Sequence, residues 1–166
     1  VVESFDFTME LDDKGITGKY GDLTFLSGEA SFSLKNGESK LIEGIPSGTS
    51  YTITEDGDKV KGFDVTWSGS HKGTTYKGTI SKNETTKLDV VNERLYGDLD
   101  ISKEVISSIP EDKDRPFMFT MELGEENLTG VFGDLVFQNS TCLFALADGE
   151  TIHVKGLPYG IDYVVR

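Results

Sequence analysis

The chain has 166 residues, with 29 acidic against 16 basic side chains, a formal net charge of −13 and a sequence pI near 4.5. Nucleic acid and anionic lipid both demand clustered Lys and Arg, so this balance excludes them as partners. No run of about 18 apolar residues and no charged-then-apolar opening segment is present, so no membrane insertion is expected in this segment, which reads as soluble and as a mature or excised piece.

Nineteen Gly, ten Phe and six Tyr, with Thr and Val in short runs, favour strands joined by tight turns over helices. Alternation and turn residues predict strands over 5–11, 20–26, 29–34, 38–43, 49–55, 62–68, 73–80 and 85–92, then over 97–106, 117–123, 131–137, 141–147, 150–155 and 161–166. The stretch WSGSHKG between two of these runs reads as a hairpin tip, and Trp67 before it as core or edge packing. Cys142 shares parity with Phe144 and Leu146 and reads as a small buried thiol; as the single cysteine it excludes an internal disulfide.

An internal repeat organises the whole. Residues 5–54 align without a gap on residues 117–166, with twenty of fifty pairs identical at an offset of 112. Phe5, Phe7, Phe32, Leu34 and Tyr51 recur as Phe117, Phe119, Phe144, Leu146 and Tyr163. Gly18, Gly21, Gly37, Gly44, Pro46 and Gly48 recur as well, as expected where backbone geometry fixes the residue. The expected organisation is therefore all-β: tandem immunoglobulin-like sandwiches, residues 1–93 forming a first repeat without its opening strand and 94–166 a second without its C-terminal part.

Three polar residues fall on apolar faces. In YGDLDISKEVI, Lys103 shares parity with Leu99, Ile101 and Val105; in YTITE, Glu55 follows Tyr51 and Ile53; in TTKLDVVNE, Asn92 follows Leu88 and Val90. A lysine in an apolar interior is driven toward a neutral, nucleophilic amine, and a buried glutamic acid toward its protonated form. That acid can hydrogen-bond an asparagine carboxamide and stabilise its oxyanion during amine attack, which releases ammonia and leaves a Lys–Asn isopeptide bond. The alternative is that Lys103 snorkels from a strand end, Glu55 closes its strand in an acidic turn, and Asn92 is an ordinary inter-domain turn residue.

Other chemistry finds little footing. His71 and His153 have neither H-E-x-x-H nor Cys/His spacing, no G-x-S-x-G elbow occurs, and no cofactor or metal is expected. Acidic clusters at Asp12–Asp13, 55–58 and Glu125–Glu126 lack EF-hand ligand spacing and read as solvated turns. The sequons starting at Asn83, Asn127 and Asn139 are frequent by chance.

The combination of DISKEV opening a repeat, F-x-F-T-M-E-L, G-x-x-G-D-L-x-F, GIPSGTSYTITE and a closing V-V-N resembles the collagen-adhesin B-type (Cna B-type) and pilin-like repeats of Gram-positive surface proteins, over nearly all of the chain. The resemblance implies a reversed immunoglobulin fold, often with an intramolecular bond from a first-strand Lys to a last-strand Asn assisted by a central Glu. It makes Lys103 the nucleophile of the second repeat, and Glu55 and Asn92 the assisting acid and acceptor of the first. The lysine for Glu55 and Asn92 would lie about nine residues before Val1, and the acid for Lys103 just after Arg166. Lys103 could meet Glu55 and Asn92 if its strand filled the opening-strand position of the first repeat, within a chain or between neighbours. The expected function is a structural stalk or adhesin module, extracellular and attached to the cell surface or wall, not an enzyme with turnover. Its expected partners are neighbouring repeats of the same protein. The rival is an adhesin domain that binds a host protein or glycan through its loops.

Overall fold

The computed structural model describes residues 3–125 and 127–166, so Glu126 of the acidic turn considered above lies outside it. The chain divides into two compact units, Val1–Glu93 and Arg94–Arg166.

Unit 1 contains β1 (Ser4–Leu11), β2 (Gly18–Tyr20), β3 (Leu23–Phe25), β4 (Glu29–Lys35), β5 (Ser50–Glu55), β6 (Phe63–Trp67), β7 (His71–Lys72) and β8 (Thr75–Thr79), followed by β9 (Val90–Arg94). Strands β4-β1-β5-β8 form one antiparallel sheet, β7-β6-β9 a second, and β2–β3 a hairpin. The alternation that makes these segments strands also sets their inner faces: Phe7, Met9 and Leu11 of β1, Tyr51 and Ile53 of β5, and Val65 and Trp67 of β6 are buried in one core. Trp67 locks the two sheets together: its ring meets Phe7 edge-on at 6.1 Å, and its indole N–H donates to the Gly73 carbonyl at 2.8 Å.

Unit 2 contains β10 (Tyr96–Ser102), a single 3-10 turn (Pro110–Lys113), β11 (Phe117–Leu123), β12 (Gly130–Phe132), β13 (Leu135–Phe137), β14 (Thr141–Leu146), β15 (Thr151–Pro158) and β16 (Tyr163–Val165). Its sheets are β14-β11-β16, β10-β15 and the hairpin β12–β13. Register follows the repeat. Phe7 faces Phe32 and Phe119 faces Phe144, stacked at 5.3 and 5.4 Å, while Met9 faces Ala30 and Met121 faces Cys142. Cys142 is buried, which pushes its thiol pKa up.

The strand expectations need correction in four places. Residues 20–26 and 131–137 are hairpins rather than single strands, because Gly21 and Gly133 turn the chain at φ of 66°. The expected strand over 73–80 is β8, with β7 just before it, whereas 85–92 is strand only from Val90. Residues 38–43 are not a strand, although their counterpart in unit 2 is β15. The difference is the partner: β15 pairs with β10, and no described strand pairs with residues 39–46. The turn at Pro110–Lys113, with Pro at its start, carries no period that alternation could detect.

Candidate functional site

β5 is built from alternating residues whose inner set is Tyr51, Ile53 and Glu55, so the pleat that buries the two apolar side chains buries the carboxyl too. Glu55 is 1% exposed. It lies directly across from Phe7 on β1, and its N–H donates to the Thr74 carbonyl at 2.8 Å. On β9 of the other sheet, Val90 and Asn92 occupy the same parity, with Val91 and Glu93 facing out. Asn92 reaches across the core and its Nδ2 donates to Glu55 Oε1 at 2.5 Å.

This pair is half satisfied. Glu55 Oε2 and Asn92 Oδ1 are both buried and have no hydrogen-bond partner among the described residues. Desolvation raises the Glu55 pKa and outweighs the lowering from the Asn92 contact, so the carboxyl is biased toward its neutral form. The Asn92 carbonyl is left able to accept one further donor.

Lys103 stands in unit 2, immediately past β10. Its side chain is half-buried, with Nζ 4.9 Å from the Phe117 ring centroid. Its N–H donates to the Glu150 carbonyl at 3.1 Å, and its carbonyl accepts from Gly149 at 2.8 Å. Glu55 and Asn92 are therefore together in unit 1, and Lys103 belongs to the other unit. Alternation sets each of the three on the parity of its apolar neighbours; it could not locate the Phe117 ring beneath Lys103, a contact between residues fourteen apart in sequence.

His153 Nδ1 lies 2.6 Å from Asp100 Oδ1 on the exposed face of the β10–β15 pair, and the His71 ring meets Tyr76 edge-on. Among the described residues no group of three or more His, Cys, Asp or Glu is placed to hold a metal, and no helix is long and apolar enough to cross a membrane.

The sequence matches one family model twice, a domain of unknown function designated DUF7601, over residues 2–94 and 97–166. It is 36% identical over 94 residues to the pilus tip adhesin Cpa of Streptococcus pyogenes, a match that covers 52% of this chain and 14% of that protein. Two solved major pilins of Streptococcus pyogenes share the fold. T-13 matches at a TM-score of 0.51 and 21% identity over 99% of this chain and 73% of its own, and T3.2 at 0.53 and 18% over 100% and 75%. The chain belongs to the DUF7601 family.

Proposed function

We propose that this chain is a stalk or adhesin segment of a longer cell-surface, pilus-like protein, in which unit 1 is locked by a Lys–Asn isopeptide bond with Asn92 as acceptor and Glu55 as the assisting acid. The observation that carries this reading is the buried Glu55–Asn92 pair with its two unpartnered oxygens. A buried polar atom without a partner costs roughly 1–3 kcal/mol, and two such atoms side by side are the expected mark of a site shaped around a third group. A neutral lysine amine attacks Asn92 Cγ, the new Nζ–Cγ bond forms, the Cγ–Nδ2 bond breaks, and ammonia carries off the transferred proton. Glu55 in its protonated form holds the carboxamide oxygen during the attack.

Such a bond ties β9 to an opening strand and makes the sandwich resist pulling. That suits a part that transmits force between neighbouring repeats, other pilus subunits and a wall-attached base. The test is the intact mass of a longer chain carrying both repeats entire. A deficit of one ammonia per repeat is expected, and Asn92→Ala or Glu55→Gln should each restore the mass for the first repeat; full unmodified mass in the parent chain sinks the crosslink.

A second reading, recognition of a host protein or glycan through the loops, draws support from the matched relative's description as a pilus tip adhesin. Binding of host extracellular proteins or glycans by the uncrosslinked Asn92→Ala chain would favour it.

A further inference from the structure

The two units differ on the outer face of their first sheet. In unit 2, Val131 and Val136 stand directly across from one another in the β12–β13 hairpin, Leu143 stands on β14, and a bridge between Gln138 and Thr141 joins hairpin to strand. All three apolar side chains are largely exposed. Their repeat counterparts Lys19, Thr24 and Ser31 are polar and are exposed as well, although β6, β7, β8 and β9 follow them in unit 1. The later strands of a repeat therefore leave these three positions open, and the fold asks for no apolar residue at them.

Charge differs in the same place. The chain as a whole carries −13. Among the described residues, the outward positions of β11, β14, β16 and the two hairpin strands hold a single acid, Glu122, and a single base, Arg166 just past β16, and these two pair with each other at 3.0 Å. The same face of unit 1 has Asp6, Glu10 and Glu29 against Lys19, an acidic excess.

We infer that the outer face of unit 2 is a self-association surface, which pairs with the same face of a second copy of this chain about a two-fold axis near Leu143. A two-fold contact sets a face against itself, so any net charge on it meets its own sign. The face of unit 1 would repel its copy, whereas a face whose one acid and one base cancel would not. The surface also supplies both halves of the fit. A shallow hollow of about 380 Å³ is bordered by Val136, Gln138, Thr141 and Leu143, and Leu143 projects beside it, so each copy's Leu143 has a hollow to enter on the other. Three such side chains fall short of the roughly 800 Å² per partner of a standard interface. The pairing is accordingly weak between free copies and gains strength where copies are held side by side. It stands apart from the crosslinking reading and uses neither Glu55 nor Asn92.

The experiment is sedimentation equilibrium of the chain at rising concentration, with amide NMR spectra of the same samples. Expected is a weak monomer–dimer equilibrium that strengthens as added salt screens the net charge of the two copies. The amide signals of 131, 136 and 141–145 should move with concentration, while those of the counterparts Lys19, Thr24 and Ser31 stay in place. The triple variant Val131→Lys, Val136→Thr, Leu143→Ser should stay monomeric. Leu143→Lys and Leu143→Glu should each weaken association about tenfold or more alone, through like charge meeting like, and recover it when mixed.

A chain that stays monomeric with unmoved signals overturns the surface, as does a dimer that the triple variant keeps. A native dimer whose Lys and Glu variants do not recover on mixing overturns the two-fold pairing, because Leu143 then meets some other part of the second copy. Association that weakens with salt overturns the uncharged contact. Signals of 131, 136 and 143 that differ in a longer chain, and are there indifferent to concentration, overturn the second copy and name another part of the same chain as the occupant.

Discussion

Asn92 and Glu55, 37 residues apart in sequence and on opposite sheets of unit 1, meet in the core with the Asn92 carboxamide donating to the Glu55 carboxyl at 2.5 Å. One donor cannot compensate a desolvated carboxylate, so the folded unit holds this acid in its neutral form more readily than the unfolded chain does.

That difference sets a pH dependence. The ordinary glutamate value is 4.5, and the folded value is higher. Below 4.5 both states are protonated and the contribution to stability is fully present. Between the two values the folded state alone keeps its proton, so stability falls as pH rises through the folded pKa. Thermal melts of the native chain and Glu55→Gln from about pH 4 to about pH 8 should show the native chain losing stability relative to the variant as pH rises. Parallel curves would mean that Glu55 is no more neutral folded than unfolded.

Removing the donor has a separate signature. In Asn92→Ala the side-chain hydrogen bond that lowers the Glu55 pKa is lost, so its titration should move further up. The buried Oε1 is left without a partner, at a cost of roughly 1–3 kcal/mol by urea denaturation. A Glu55 titration by NMR that stays in place, together with an unchanged urea midpoint, would show that the pair is not formed in solution.

The pair was legible because a period of two decides which side chains a strand buries: Glu55 could not face out while Tyr51 and Ile53 faced in. Residues 38–43 depart from the expected strand for the converse reason. Their apolar content matches that of β15, but strand identity belongs to a pair, and β15 owes it to Leu99, Ile101 and their neighbours on β10. The hairpins at 18–25 and 130–137 hid inside apolar runs because their turns need only two residues, Gly-Asp in each unit.

Those two turns allow a controlled comparison. Gly21 and Gly133 both sit at φ of 66°, and a Cβ on either would fall inside the contact distance of a main-chain oxygen, Leu41 or His153. Gly37 and Gly149 have φ of 81° and 77° with nothing within 4 Å of a Cβ. Gly37→Ala and Gly149→Ala should each cost about 1 kcal/mol from the left-handed backbone alone. Gly21→Ala and Gly133→Ala should cost more, about 2–3 kcal/mol, because main chain must also shift. Equal midpoints for the four variants in urea would remove the steric argument.

The outer faces of the units obey the same geometry with opposite chemistry. Val131, Val136 and Leu143 are 72%, 61% and 70% exposed, and at the same repeat positions unit 1 has the exposed Lys19, Thr24 and Ser31. Since unit 1 folds with polar side chains there, burial places no demand on these sites. Val131→Lys, Val136→Thr and Leu143→Ser should each change stability by no more than about 0.5 kcal/mol. Met121, 0% exposed against Cys142, supplies the contrast: Met121→Ala should cost roughly 2–5 kcal/mol. The triple surface variant should also elute earlier from a hydrophobic-interaction column, because it removes the apolar side chains from one continuous hairpin-and-strand face. A large stability loss in the triple variant would show that this face is covered within the folded chain rather than open to solvent.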